Sequence, residues 1–126
     1  MTQIHIEVKG PFFDRGLSAL DGAIRDTIRE LVAEGETDVK VQLYPGHGLR
    51  TGHYRRSIHG EVLNSRNGTV HDSNVIYGSW LEGVSSRNQR TRFKGYGMFR
   101  KAVQGLERKA KDIFVKHIAR AIKGIN

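Results

Sequence analysis

Apolar and polar residues alternate at the start of the chain. Ile4, Ile6 and Val8 fall on one side, and His5, Glu7 and Lys9 on the other. A period of two with β-branched residues predicts a half-buried strand over Gln3–Lys9, ended by Gly10-Pro11. From about Asp14 the period changes. Leu17, Leu20, Ile24, Ile28, Leu31 and Val32 recur at steps of three and four, the stripe of an amphipathic helix. Arg25, Asp26, Arg29 and Glu30 take the other face, and the acids Asp14 and Asp21 sit early, where the helix dipole favours them. The end of this helix has two readings. Gly35 can cap it, after which Val39, Val41 and Leu43 alternate as a strand would. Alternatively Val39 and Leu43 continue the stripe, with Gly35 tolerated inside the helix at a cost of about 1 kcal/mol. The continued stripe favours one long helix, stopped by Pro45-Gly46.

Gly46 to Gly52 reads as loop. Beyond it, Ser57–Asn64 and Thr69–Tyr77 flank Asn67-Gly68, a strong hairpin signal. A two-residue turn there pairs Arg66 with Thr69. Ile58, Val62, Val75 and Tyr77 then share one face, and His59, Glu61, Leu63, Val70, Asp72 and Ile76 the other. Both faces are mixed, so one calls for a helix and the other for a different cover, such as another subunit. Val84 to Gly97 lacks periodicity and reads as a basic loop; loops of that length are usually functional or disordered. Met98–Ile122 is the cleanest helix. Phe99, Val103, Leu106, Ala110, Ile113, Phe114, His117, Ile118, Ala121 and Ile122 form its stripe, and its other face is strongly basic. The order predicts an α+β fold in one domain over residues 1–126. Two long helices pack on a small, mainly antiparallel sheet of the N-terminal strand plus the hairpin.

Composition narrows the function classes. At 126 residues the chain is one domain's worth, and the absence of cysteine excludes disulfides, thiolate metal sites and a thiol nucleophile. No apolar run is long enough for a transmembrane helix, and the first ten residues do not resemble a signal peptide. The net charge of +8 is unevenly spread. Residues 1–49 carry five Lys/Arg against eight acids, a balance of −3, and residues 50–126 carry 16 against five, a balance of +11. Ser85 to Lys101 holds Arg87, Arg90, Arg92, Lys94, Arg100 and Lys101 with no acid. Such asymmetry implies a polyanion or an acidic protein surface as partner, a second copy included.

Catalytic signatures are weak. In the expected register His59 and Glu61 share a face with Asp72 diagonally opposite, an arrangement able to hold a divalent ion. No HxxxH or HExxH spacing supports it, and ordinary polar strand positions are the favoured reading. Ser57, Ser73 and Ser79 lie outside any GxSxG context, and Gly46-His47-Gly48 and Gly95-Tyr96-Gly97 are isolated GxG pieces. Neither a catalytic residue nor a cofactor or metal site is expected. Arg87, Arg90, Arg92 and Lys94, interleaved with Phe93 and Tyr96, would suit phosphate contact and base stacking. The same residues would serve equally as anchors in a protein interface. A small basic nucleic-acid-binding protein is therefore the alternative function. The basic final helix has the stripe of any core helix, so a membrane partner is not expected.

Two passages carry a resemblance. One is Thr51-Gly52-His53-Tyr54-Arg55-Arg56-Ser57-Ile58, after a long helix and a Pro-Gly stop. The other is Val75-Ile76-Tyr77-Gly78-Ser79-Trp80-Leu81-Glu82-Gly83, followed by the basic loop and by Gly97-Met98-Phe99-Arg100-Lys101-Ala102. Their order resembles the tail-completion or neck proteins of long-tailed bacteriophages, closest to versions from phages of actinobacteria, which share an opening like Gly10-Pro11-Phe12-Phe13-Asp14. Val84 stands where that family usually has Thr, and an Arg-rich approach to the final helix replaces a Pro-rich one. The resemblance implies a structural virion protein at the head–tail joint, made in the host cytoplasm. Its partners would be itself, as a ring commonly of six, the adjacent connector or stopper, the tail terminator or tail tube, and DNA in the lumen. Arg87, Arg90, Arg92, Phe93, Lys94 and Tyr96 would face a neighbour or DNA. Thr51 would cap the turn at His53–Arg56, Gly52 would permit the chain reversal, and Tyr77, Trp80, Glu82 and Gly83 would shape the turn.

Overall fold

The computed structural model of the protein describes residues 2–8, 18–43 and 53–125. Strand β1 (Gln3–Glu7) forms where the alternation predicts it. Helix α1 (Ser18–Val41) runs unbroken through Gly35, so the stripe wins over the glycine, and Val39 and Leu43 enter the core. A single turn α2 (His53–Arg56) leads to strands β2 (His59–Asn64) and β3 (Asn67–His71). Two further short helices, α3 (Gly78–Glu82) and α4 (Ser86–Arg90), precede the long α5 (Met98–Ile125). The fold is α+β, with α1 and α5 packed on a three-stranded antiparallel sheet of order β1-β3-β2.

The core lies between the sheet and the two helices. Ile28, Leu31, Val32 and Val39 of α1 meet Ile4 and Val70 of the sheet and Met98, Phe99, Ala102, Leu106 and Ile113 of α5. Glycines let the layers approach. A Cβ on Gly60 would lie 2.6 Å from Val32 Cγ1, and one on Gly68 would strike Val32 and sit 3.0 Å from Ile28 Cγ2. α1 and α5 run antiparallel, clamped on one flank by ion pairs. Lys109 Nζ lies 3.1 Å from Glu34 and 3.4 Å from Asp38, and Lys116 Nζ lies 2.6 Å from Glu30. Part of the acidic half thus neutralises the basic half within one chain.

The hairpin differs from expectation. Glu61 pairs with Thr69 and Val62 with Gly68, and an irregularity between Val62 and Asn64 sets Asn64 opposite Asn67. The turn is therefore Ser65-Arg66, while Asn67-Gly68 belongs to β3. Asn64 Oδ1 secures it by accepting from Arg66 N at 2.9 Å and Asn67 Nδ2 at 3.0 Å. Gly68 is needed for contact with α1, which a turn-based reading does not detect. β3 also ends at His71. Ser73 and Asn74 adopt left-handed φ of 59° and 61°, so residues 72–77 are turn instead of strand. Consequently Ile4, Ile6, Gly60, Val62, Gly68 and Val70 take the helix side, while His5, Glu7, His59, Glu61 and His71 share the outer side.

Candidate functional site

The segment joining the sheet to α5 contains most of the residues singled out in the sequence. α3 ends at Gly83, whose φ of 98° is a left-handed cap and whose N–H donates to the Ser79 carbonyl at 3.0 Å. The preceding residue, Glu82, is buried. Its Oε1 accepts from Phe99 N at 2.8 Å and its Oε2 from Arg100 N at 3.0 Å. One carboxylate thereby satisfies two of the N–H groups that the start of a helix leaves without partners, and sits where the helix dipole favours negative charge. Gly83 and Gly95 cross backbone to backbone. A Cβ on either would collide with the other strand of the crossing, and both φ values are positive. Tyr96 N also donates to the Leu81 carbonyl at 2.7 Å, which closes the base of the basic loop.

The expected loop over Val84 to Gly97 is ordered and contains α4. Ser85 caps that helix: its hydroxyl accepts from Arg87 N at 3.1 Å, while Asn88 Oδ1 accepts from Ser85 N at 3.0 Å. Asn88 is fully enclosed, and its Nδ2 donates at 3.0 Å to the carbonyls of both Trp80 and Phe93. One side chain thus ties the middle of the loop to α3 and to its own return strand. The aromatic rings pack in sequence, Trp80 tilted by 47° against Phe93 at 4.9 Å between centroids and Phe93 edge-to-face with Tyr96 at 5.1 Å, with the Arg87 guanidinium 5.6 Å over Trp80. Phe93 and Tyr96 are half-buried in this cluster, whereas Arg87, Arg90, Arg92 and Lys94 are exposed. Lys94 Nζ donates to the Asn88 carbonyl at 2.9 Å. The structure therefore presents the four cations on a knuckle tied down by its own hydrogen bonds.

The His59, Glu61 and Asp72 grouping does not form. Asp72 is fully buried on the far side of the β3 end, where Oδ2 accepts from Tyr54 Oη at 2.9 Å and Oδ1 from Asn74 N at 3.0 Å. Burial, then the hydrogen bond to Asp72, drives the Tyr54 hydroxyl far above its ordinary pKa, so it remains a donor. Glu61 pairs instead with His71 Nε2 at 3.1 Å, while His71 Nδ1 accepts from Ser73 N at 2.9 Å. No group of three acidic or histidine side chains able to hold a metal ion occurs among the described residues. Ser57 and Ser73 are tied to backbone carbonyls, of Tyr54 and Ser57 respectively. Tyr77 lies 5.8 Å from the Tyr54 ring and is partly exposed. Thr51, Gly52 and Gly46-His47-Gly48 lie outside the described residues.

The buried polar side chains each serve the fold. Thr27 donates to the Ala23 carbonyl at 2.8 Å, Thr69 to the Ile4 carbonyl at 2.9 Å, and His117 faces Glu30 at 3.3 Å. Asp72, Glu82 and Asn88 make the contacts given above. Sequence reasoning missed Asn88 and the burial of Asp72. The Ser85-x-x-Asn88 spacing is a capping signal that would have located α4. Compared with protein-family profiles, with characterised proteins and with solved structures, the chain matches none.

Proposed function

We propose that this chain is a structural protein of the phage head–tail joint, acting as one of a ring of identical copies that joins the head to the tail and lets DNA pass. The observation that carries this reading is where the residues of the resemblance sit. Tyr54, Ile58, Gly78, Trp80, Glu82, Gly83 and Phe99 form the joints between sheet, turn and final helix. The likeness thus rests on residues that determine shape, and shape is the activity of a ring subunit. Ile76, 96% exposed on the turn after β3, and Val84, 71% exposed beside the knuckle, add apolar contact points on rigid supports. Electron microscopy of the particle that carries the chain tests the reading. The expected result is a closed ring of copies between head and tail. A particle with no copy at that level overturns it.

The exposed cations favour a second reading, non-specific binding of nucleic acid. Its stacking platform is reduced, because Phe93 lies between Trp80 and Tyr96. That reading predicts affinity for duplex DNA falling steeply with salt, with a logarithmic slope of about −3.6 for four phosphate contacts. A flat salt response removes it.

A further inference from the structure

We propose that the outer face of the sheet is the seat for the basic knuckle of a second copy of this chain. The proposal rests on the ring reading above and names the contact that would build the ring. The face carries Glu7 on β1 and Glu61 on β2, beside His5, His71 and His59. No Lys or Arg lies in the three strands, the turn between β2 and β3 carrying Arg66, whose carbonyl accepts from Val8 N at 2.9 Å at the end of β1. The side chains of His5 and Glu61 are about half exposed, at 49% and 54%. Glu61 lies 3.1 Å from His71 and Glu7 3.8 Å from His5, so the strands themselves bring two carboxylates and no Lys or Arg to this face.

The knuckle is its electrostatic complement. Arg87, Arg90, Arg92 and Lys94 project from one short segment, and none of them forms an ion pair among the described residues. The nearest acid in sequence, Glu82, is buried and occupied by two backbone N–H groups. Within one chain the knuckle is tied down at its middle and its base. Asn88 fastens the knuckle to the Trp80 and Phe93 carbonyls, and the Gly83–Gly95 crossing locks its base. Opposite charges carried on different elements of one molecule can pair between copies. Because seat and knuckle are different surfaces, the contact is heterologous: each copy gives its knuckle to one neighbour and its sheet to the other. Such contacts close into a ring when the rotation allows and otherwise propagate.

Charge exchange tests this. Sedimentation velocity of the full chain would be followed at low salt and about pH 8. Four proteins are compared: the native chain, Arg90→Glu with Arg92→Glu, Glu7→Lys with Glu61→Lys, and all four substitutions together. The native chain is expected to self-associate, and each double variant to weaken association by roughly tenfold or more, since like charges then face each other. The fourfold variant, with both signs inverted, is expected to regain association, as is an equimolar mixture of the two doubles. A native chain that stays monomeric overturns the proposal, as do doubles that associate normally, or a folded fourfold variant and a mixture that both fail to recover. Knuckle variants that lose DNA binding while keeping self-association also overturn it and point to the polyanion. A ring seen in particles with its contacts elsewhere would overturn this contact and leave the head–tail reading standing. Recovery by charge exchange in a protein missing from particles would do the reverse.

Discussion

Glu82 offers the sharpest test of how the fold is held. Replacing it with Ala removes two charge-assisted hydrogen bonds, to Phe99 N at 2.8 Å and Arg100 N at 3.0 Å. Bonds to charged groups contribute about 1.5–3 kcal/mol each. The Phe99 amide is left buried without a partner, whereas the partly exposed Arg100 amide recovers water. The expected loss is about 3–4 kcal/mol, a large share of the roughly 5–15 kcal/mol that stabilises a domain. Glu82→Gln separates charge from shape. Its amide oxygen keeps one bond, but its NH2 group faces the second N–H, so about 2 kcal/mol is lost. Urea unfolding is the assay. With a slope near 1.5 kcal/mol/M, the midpoint falls by about 2 M for Ala and somewhat over 1 M for Gln, the slope being unchanged. Amide exchange at Phe99 and Arg100 should accelerate in both variants. A loss below about 0.5 kcal/mol in Glu82→Ala, or Glu82→Gln matching the native midpoint, would refute the argument that this carboxylate seats α5.

Other consequences are open to similar measurement. Tyr54→Phe deprives the buried Asp72 of one of its two donors, 2.9 Å away, and should cost about 1–3 kcal/mol in thermal or urea unfolding; a neutral result would show that water replaces the hydroxyl. Gly83→Ala must adopt φ near 98° while its Cβ meets the Lys94 carbonyl, so a loss above about 2 kcal/mol is expected, and a stable variant would contradict the crossing. Ile76→Ser, at a position 96% exposed, should leave stability within about 0.5 kcal/mol; calorimetry showing a larger drop would mean that Ile76 packs. The helix clamp should titrate at both extremes. The Lys116 hydrogen bond holds Glu30 below its ordinary value of 4.5, so its stabilisation is complete above that pH and is lost as acid protonates the folded carboxylate. Hydrogen bonding to Glu34 and the charge of Asp38 raise Lys109 above 10.5, so its contribution is complete below that pH and disappears in stronger alkali. Melting of Glu30→Gln should therefore depend less on pH over the acid limb than melting of the native chain; identical limbs would sink this assignment.

The two long helices were legible because their apolar residues keep a helical period over many turns, and even Gly35 could not interrupt it. That glycine has a packing reason: a Cβ there would lie 3.1 Å from both Leu106 and Val70, at the meeting of helix pair and sheet. The same logic explains the misread hairpin. Gly68 is a turn residue by type, yet here it makes room for Val32 and Ile28, information that resides in the opposite layer. The hairpin's two faces are both mixed in polarity, so alternation around residues 59–72 could not fix register, and the pairing that forms leaves Asp72 in the interior. Within the candidate site, the importance of Trp80, Glu82 and Gly83 was readable as a motif, but their tasks were not. Glu82 acts on amides 17 and 18 residues away, a relation with no local sequence period.

The crossing of Gly83 and Gly95 makes the eleven residues between them a detachable cassette. Their entry and exit points are fixed by the backbone, and among the side chains between them only Asn88, Phe93 and Arg87 lean on Trp80 outside the interval, so the exposed positions are left free to vary. Lengthening, shortening or recharging that stretch would suit it to a new mating part, provided both glycines and the Asn88 tie persist. Adaptation to a different assembly would then require rewriting only this interval while α1, α5 and the sheet stay as they are.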